Sequence, residues 1–248
     1  MWDNHQALKA IANLLFTAAF LMLLYAAGFW LAHSPYVPVK KIRIDGELNH
    51  VTAEQLRAIA ENELKGTFFT LNLDATRAAF EKLPWVRRAA VRRQWPDQLD
   101  IWIEEHVAVA RWDETGLLSS KGEWFDAATS DVLPLAHGPK GSEKQLAEGL
   151  IKFTEILARA DLKPIEFRLE ARQAWELVLE NGMVLKLGRV DVEPRLQRFV
   201  GQWTRHLATL PYRIEYIDLR YPNGFAVKMP DYKPGVNKMP SRLTAPAA

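Results

Sequence analysis

The stretch PWVRRAAVRRQWP, Pro84 to Pro96, sets Arg87, Arg88, Arg92 and Arg93 between Trp85 and Trp95. Arginine interleaved with aromatic side chains can stack on bases and grip phosphates of single-stranded nucleic acid. The same residues also make an ordinary solvent-facing sheet surface, with arginine stems covering apolar area. Val86, Ala89 and Val91 supply the apolar positions of a strand, and Asp97, Asp100, Glu104 and Glu105 follow, so the field is not one-signed. The balance favours the sheet surface, with protein or lipid headgroups as its functional contact and no nucleic acid.

Catalytic chemistry has less support. The six histidines, His5, His33, His50, His106, His137 and His206, form no H-x-H or H-E-x-x-H arrangement, so no local metal pair exists. His137 to Ser142, HGPKGS, has the composition of a phosphate loop without its spacing. There is no G-x-S-x-G, and Ser119-Ser120-Lys121 does not fit S-x-x-K. Glu104 and Glu105 are neighbours on a strand and point to opposite faces. With no cysteine, thiol catalysis and disulfides are excluded. The expectation is a protein that is not an enzyme and takes no metal, cofactor or small-molecule substrate.

A different chemistry is offered by IDLRYPNGFAVKM, Ile217 to Met229. Ile217, Leu219 and Tyr221 would share one face of a strand, Pro222-Asn223-Gly224 would turn tightly, and Phe225, Val227 and Met229 would alternate with Ala226 and Lys228. A last strand with only irregular sequence after it lies at a sheet edge. Such an edge is either protected, here by Lys228 and Pro230, or used for strand addition by a partner. Periodicity leaves both readings open.

The elements that position these residues can be read in order. VKKIRID, from Val39, alternates Ile42 and Ile44 with Lys41, Arg43 and Asp45 as a half-buried strand does. Thr52-Ala53-Glu54-Gln55 is a capping box for a helix striped by Leu56, Ile59 and Leu64. A second helix starts near Asn72 or Asp74, with Leu73, Arg77, Phe80 and Leu83 on one side. Strands from Val86 to Gln94 and from Gln98 to Glu105 follow, joined at Pro96-Asp97. Beyond Val107 the chain is strand-rich with two helices. One is capped at Ser142 to Gln145 and striped by Leu146, Leu150, Phe153 and Leu157; the other is capped at Asp191 and striped by Leu196, Phe199, Trp203 and Leu207. Asn181-Gly182 marks a hairpin. The fold class is α+β.

Ile11 to Ala32 carries no Asp, Glu, Lys or Arg over 22 residues. As a helix it spans roughly 33 Å, enough for a bilayer core of about 30 Å. Ala26-Ala27-Gly28 resembles a cleavage site, but the apolar run continues past it and only Lys9 is basic before it, so an uncleaved anchor is expected. Charge counting, with Lys40, Lys41 and Arg43 after the span, leaves the orientation open, because long domains translocate largely regardless of flanking charge. The net charge of +2 favours no particular polyanion.

Three stretches together resemble the FtsQ/DivIB family of bacterial cell division: VKKIRIDGELNHVT from Val39, LPWVRRAAVRRQWPDQLDIWIEE from Leu83, and IDLRYPNGFAV from Ile217, read with EARQAWELVLENGMVLKLGR from Glu170. The resemblance implies a cytoplasmic tail (1–10), a transmembrane helix (11–32), a linker (33–38), a POTRA domain of β-α-α-β-β order (39–106), a C-terminal β domain (107–230) and a disordered tail (231–248). It implies a single-pass protein of the cell inner membrane, periplasmic beyond the span and enriched at the septum. It further implies a non-catalytic divisome scaffold whose last strand takes up FtsB, and with it FtsL, by strand addition. By position, the partner surface comprises Arg172, Arg220, Tyr221, Asn223, Gly224, Phe225, Ala226, Val227, Lys228 and Met229. Asn223 stands where one branch of the family has serine, and Met229 where that branch has tryptophan. A second surface, for other division proteins, would use Arg87, Arg88 and Arg92 of the POTRA domain. The rival reading is a POTRA-type receptor or chaperone for secreted or outer-membrane chains, which usually carries several such modules or a barrel.

Overall fold

A computed structural model describes residues 5–33, 38–64, 66–113 and 115–233. The expected linker lies mostly outside the described residues, as do the first four residues of the N-terminal tail and residues 234–248 of the C-terminal one. The chain divides into two compact units meeting between Glu105 and His106.

The first unit opens with α1 (His5–His33), whose window Leu8–Trp30 has mean hydropathy 2.0 and is long enough to cross a membrane. Its Thr17 hydroxyl donates back to the Asn13 carbonyl at 2.8 Å, which satisfies it without water. Then come β1 (Lys41–Asp45), α2 (Ala53–Glu63), α3 (Leu73–Phe80), β2 (Val86–Gln94) and β3 (Gln98–Glu105). The sheet order is β1-β3-β2, with β1 parallel to β3 and β2 antiparallel to it. The expected capping box starts α2: Thr52 accepts from the Gln55 N–H, and the Gln55 side chain accepts from the Thr52 N–H. Leu99, Ile101 and Ile103 are buried under the helices with Leu56 and Phe80.

Two expectations shift. The inner face of α3 is Thr76, Ala79 and Phe80, with Leu73 and Leu83 packed beside them, whereas Arg77 is exposed near Asp74 and Glu81. On β1 only Ile44 reaches the core; Ile42 stays 44 % exposed, because β1 is an edge strand and its start lies outside the packed cluster. Arg93, which stands in the same arginine run but outside the expected contact set, is structural. Its guanidinium donates to the carbonyls of Phe68 (2.6 Å), Phe69 (3.3 Å) and Leu71 (2.6 Å) and so fastens the loop before α3 to the end of β2. Replacing it by Met keeps the stem but strands those acceptors. We expect Arg93→Met to cost the first unit about 2–4 kcal/mol in urea unfolding, since a charge-assisted bond contributes about 1.5–3 kcal/mol.

The second unit contains β4 (Ala108–Trp112), β5 (Gly116–Ser119), β6 (Trp124–Phe125), β7 (Leu135–His137), α4 (Glu143–Ala158), β8 (Pro164–Leu169), β9 (Trp175–Leu179), β10 (Val184–Gly188), α5 (Val192–Gln202), a π turn (Trp203–Leu207), β11 (Tyr216–Asp218) and β12 (Ala226–Lys228). Among the described residues its strands form one nine-stranded sheet in the order β12-β11-β10-β9-β8-β7-β4-β5-β6. The Asn181-Gly182 hairpin joins β9 to β10, with Gly182 at φ +81° and the Asn181 side chain accepting from the Met183 N–H. α4 buries Leu146, Leu150, Phe153 and Leu157, and α5 buries Leu196 and Phe199, against the sheet. Both helix starts differ from expectation. Ser142 turns its buried hydroxyl back to the Pro139 carbonyl (2.6 Å) and caps nothing, and Asp191 adopts a left-handed backbone that takes its carboxylate away from the first turn. The stripe's last two members, Trp203 and Leu207, sit in the π turn, which is wider than an α turn.

Candidate functional site

The closing stretch is less regular than its alternation suggests. β11 ends at Asp218, and residues 219–225 form a longer connection with a turn at Pro222-Asn223, not a tight hairpin. Gly224 does not adopt positive φ, so the turn makes no use of its freedom. Ile217 and Leu219 are buried, but Tyr221 is 54 % exposed, because the strand has ended before it. Beyond β12 the Tyr232 ring meets Tyr212 edge-on at 5.4 Å.

β12 pairs antiparallel with β11 and has no strand on its other side among the described residues. Which of its backbone groups face outward follows from the bonds behind it. Val184 donates to the Glu215 carbonyl (3.1 Å) and Leu219 to the Lys186 carbonyl (2.9 Å). Along β11, alternation then turns Ile217 toward β10 and Tyr216 and Asp218 toward β12. Their opposite residues, Lys228 and Ala226, bond inward, and the Lys228 carbonyl also accepts from the Glu215 N–H at 2.9 Å. The N–H and C=O of Val227 are left pointing away from the sheet.

Beside this edge the side chains of Phe225, Val227 and Met229 line an apolar cleft of about 170 Å³, closed by His206, Leu207 and Leu210 from the end of the helical segment. Phe225 meets Phe199 edge-on at 6.4 Å, and Phe225 and Val227 pack on the core. On the other face Lys228 pairs with Glu215 (3.1 Å) and lies over the Tyr216 ring.

At the Ala226 end of the sheet a second cleft, of about 310 Å³, gathers Arg172, Arg189, Arg195 and Arg220. The chain places them together because Arg172 lies in the β8–β9 turn, Arg189 and Arg220 just after β10 and β11, and Arg195 in the first turns of α5. Gly188, at φ +76°, permits the approach: a Cβ there would meet the Arg220 stem at 3.1 Å and the Arg195 guanidinium at 3.4 Å. Arg195 donates to the Leu187 carbonyl, and Arg172 pairs with Glu170. Arg189 makes no side-chain bond among the described residues. Arg220 grips Asp218 through Nε (2.8 Å) and a terminal nitrogen (2.6 Å), and its backbone N–H adds a third donor. These bonds hold the Asp218 carboxyl below its ordinary value of 3.8, against an opposing effect of burial, and raise Arg220. The stabilisation is therefore full above about pH 4 and lost as pH falls through the depressed value. Urea titrations at pH 7, 4 and 3 should show Asp218→Asn destabilising at pH 7, with the gap to wild type closing on acidification.

Arg172 and Arg220 were expected from sequence to lie on one surface; Arg189 and Arg195 were not. Arg172, Arg189 and Arg220 each follow the end of a strand by a few residues, which is the signal that would have placed them at one sheet end. In the first unit Arg87 pairs with Glu104 at 2.8 Å, while Arg88 and Arg92 line a cleft of about 390 Å³ between the free edge of β2 and α3.

Comparison with known proteins decides the family. The profile of the POTRA domain, FtsQ-type, matches residues 37–106, and that of the cell division protein FtsQ/DivIB C-terminal domain matches residues 110–220. Cell division protein FtsQ of Nitrosospira multiformis is 42 % identical over 235 residues, covering 92 % of this chain and 99 % of that protein. The chain belongs to the FtsQ family. The FtsQ proteins of Burkholderia pseudomallei (40 %, 92 % and 94 % covered) and Escherichia coli (32 %, 88 % and 83 %) are similar over most of their length. Family membership gives the chain a role in cell division and division proteins as partners, and the single apolar helix of membrane length among the described residues fits anchoring by one span.

Proposed function

We propose that the protein is a non-catalytic, membrane-anchored scaffold of the divisome that captures the FtsB/FtsL complex by adding a strand of FtsB to β12. Its N-terminus lies in the cytoplasm, everything beyond the span in the periplasm, and the protein concentrates at the septum. The observation that carries the reading is the outward-facing backbone of Val227 at the β12 edge of the sheet, with an apolar cleft beside it. Two neighbours supply specificity. The cleft of Phe225, Val227 and Met229 takes an apolar side chain of the added strand, and the four arginines favour an acidic residue where that strand passes Ala226. Tyr221, Asn223 and Gly224 lie on the connection between the two features. Arg87, Arg88 and Arg92 belong to a separate contact for other division proteins.

The test is capture of the FtsB/FtsL complex by the full chain in lipid nanodiscs, compared with a chain ending at Gly224. Loss of capture by the shortened chain, with the far-ultraviolet spectrum otherwise kept, is the expected result. Unchanged affinity would overturn strand addition at β12.

A further inference from the structure

The chain reaches β1 from α1 through eight residue steps, His33 to Lys41, at most about 29 Å of extended backbone. One end of the three-stranded module is therefore held near the point where α1 ends. That end has an unusual surface. The Lys40 N–H donates to the Asp97 carbonyl at 2.9 Å, which sets the β2–β3 turn against the start of β1. The turn carries Trp95, 77 % exposed, more than Trp30 inside the apolar window at 65 %. Beside it, Arg93 ties the loop of residues 66–71 to the end of β2. Of the adjacent phenylalanines in that loop, Phe68 is buried at 4 % and Phe69 is 50 % exposed. Two aromatic side chains thus project from one end, rimmed by Lys40 and Lys41. Lys40 is 3.7 Å from Asp97, and Lys41 makes no ion pair among the described residues.

We infer that this end rests on the bilayer in which α1 is anchored, with Phe69 and Trp95 in the headgroup layer and Lys40 and Lys41 against lipid phosphates. The inference rests on the membrane-anchored reading above. Tryptophan, an aromatic ring with a polar handle, partitions to the membrane–water interface, an exposed phenyl ring gains by leaving water, and lysines pair with lipid phosphates. The contact need not be strong, since a short tether supplies an effective concentration in the millimolar range. An orientation fixed at this end would hold β1, β2 and β3 relative to the membrane plane instead of leaving the module to tumble on its linker.

The absence of cysteine allows single labels. The full chain would be reconstituted in phosphatidylcholine vesicles with one third phosphatidylglycerol, carrying a bimane at Gln94→Cys beside the turn, at Glu47→Cys beyond the far end of β1, or at Tyr25→Cys in the span. Quenching by doxyl-labelled lipid is the readout. The expected result is strong quenching at Tyr25→Cys and, at Gln94→Cys, quenching about threefold above Glu47→Cys, falling to the latter's level when Trp95→Ser and Phe69→Ser are added. Strong quenching at Tyr25→Cys with Gln94→Cys no higher than Glu47→Cys overturns the contact while the anchor stands. Absence of quenching at Tyr25→Cys overturns the anchor itself and the contact with it.

Discussion

Val227→Pro is expected to weaken capture of the FtsB/FtsL complex by about 100-fold or more while the second unit stays folded. Proline removes the backbone donor that β12 directs away from the sheet, and its ring occupies the space where a paired strand would lie. The lost outward donor and the clash of the ring with an incoming strand act on the complex alone, and two decades of affinity correspond to about 2.8 kcal/mol. The native pairing is spared, because Ala226 and Lys228, not Val227, bond to β11. Two companions separate the causes. Val227→Ala keeps the donor and trims only the side chain over the cleft, so it should lose about tenfold or less. Ala226→Pro removes an inward donor, so it should lower the unfolding midpoint as well as capture. Nanodisc pull-down titrations read affinity, and urea unfolding reads the fold. Equal affinity of wild type and Val227→Pro would place the contact elsewhere.

That choice of residue shows where sequence reading stopped. Periodicity located the last strand and separated Phe225, Val227 and Met229 from Ala226 and Lys228, which concerns side chains. It says nothing of the direction of N–H and C=O, which is set by the bonds β10 makes to β11 behind the edge. Proline at Ala226, which the alternation of side chains does not mark as inward-bonded, would damage the sheet itself. The first unit was the more legible because its local signals agree: a complete capping box, an alternating Leu99-Ile101-Ile103 run and a short turn. In the second unit the misread helix starts have local causes. Ser142 found a nearer acceptor in Pro139, and Asp191 took a left-handed backbone. The arginine cleft was half visible. Arg195 joins it only because α5 packs across the end of β10, a tertiary fact without a sequence period. Arg93 shows that a surface charge pattern can include a structural residue, since its loop-fastening bonds leave no trace in the sequence period.

Phe199→Ala should have the largest effect on stability and should link the core to the edge. Phe199 is fully buried, meets Trp203 at 5.8 Å and holds Phe225 edge-on at 6.4 Å. Truncating a buried phenylalanine costs about 3–5 kcal/mol, through lost burial and the cavity left behind. The loss should fall on the second unit alone, since the two hydrophobic clusters share no residue. Urea unfolding should show the second unit's transition moving to lower denaturant while that of the first stays in place; Leu56→Ala, in the first cluster, should do the opposite. Because Phe225 loses the ring it packs on, amide exchange in residues 225–228 should rise by more than the global loss predicts. β12 has three residues and, among the described residues, one neighbouring strand, so its order depends on side chains beneath it more than on its own hydrogen bonds. If exchange at β12 rises only in step with global unfolding, the edge is held by β11 and the connection, and Phe225 serves the cleft without anchoring the strand.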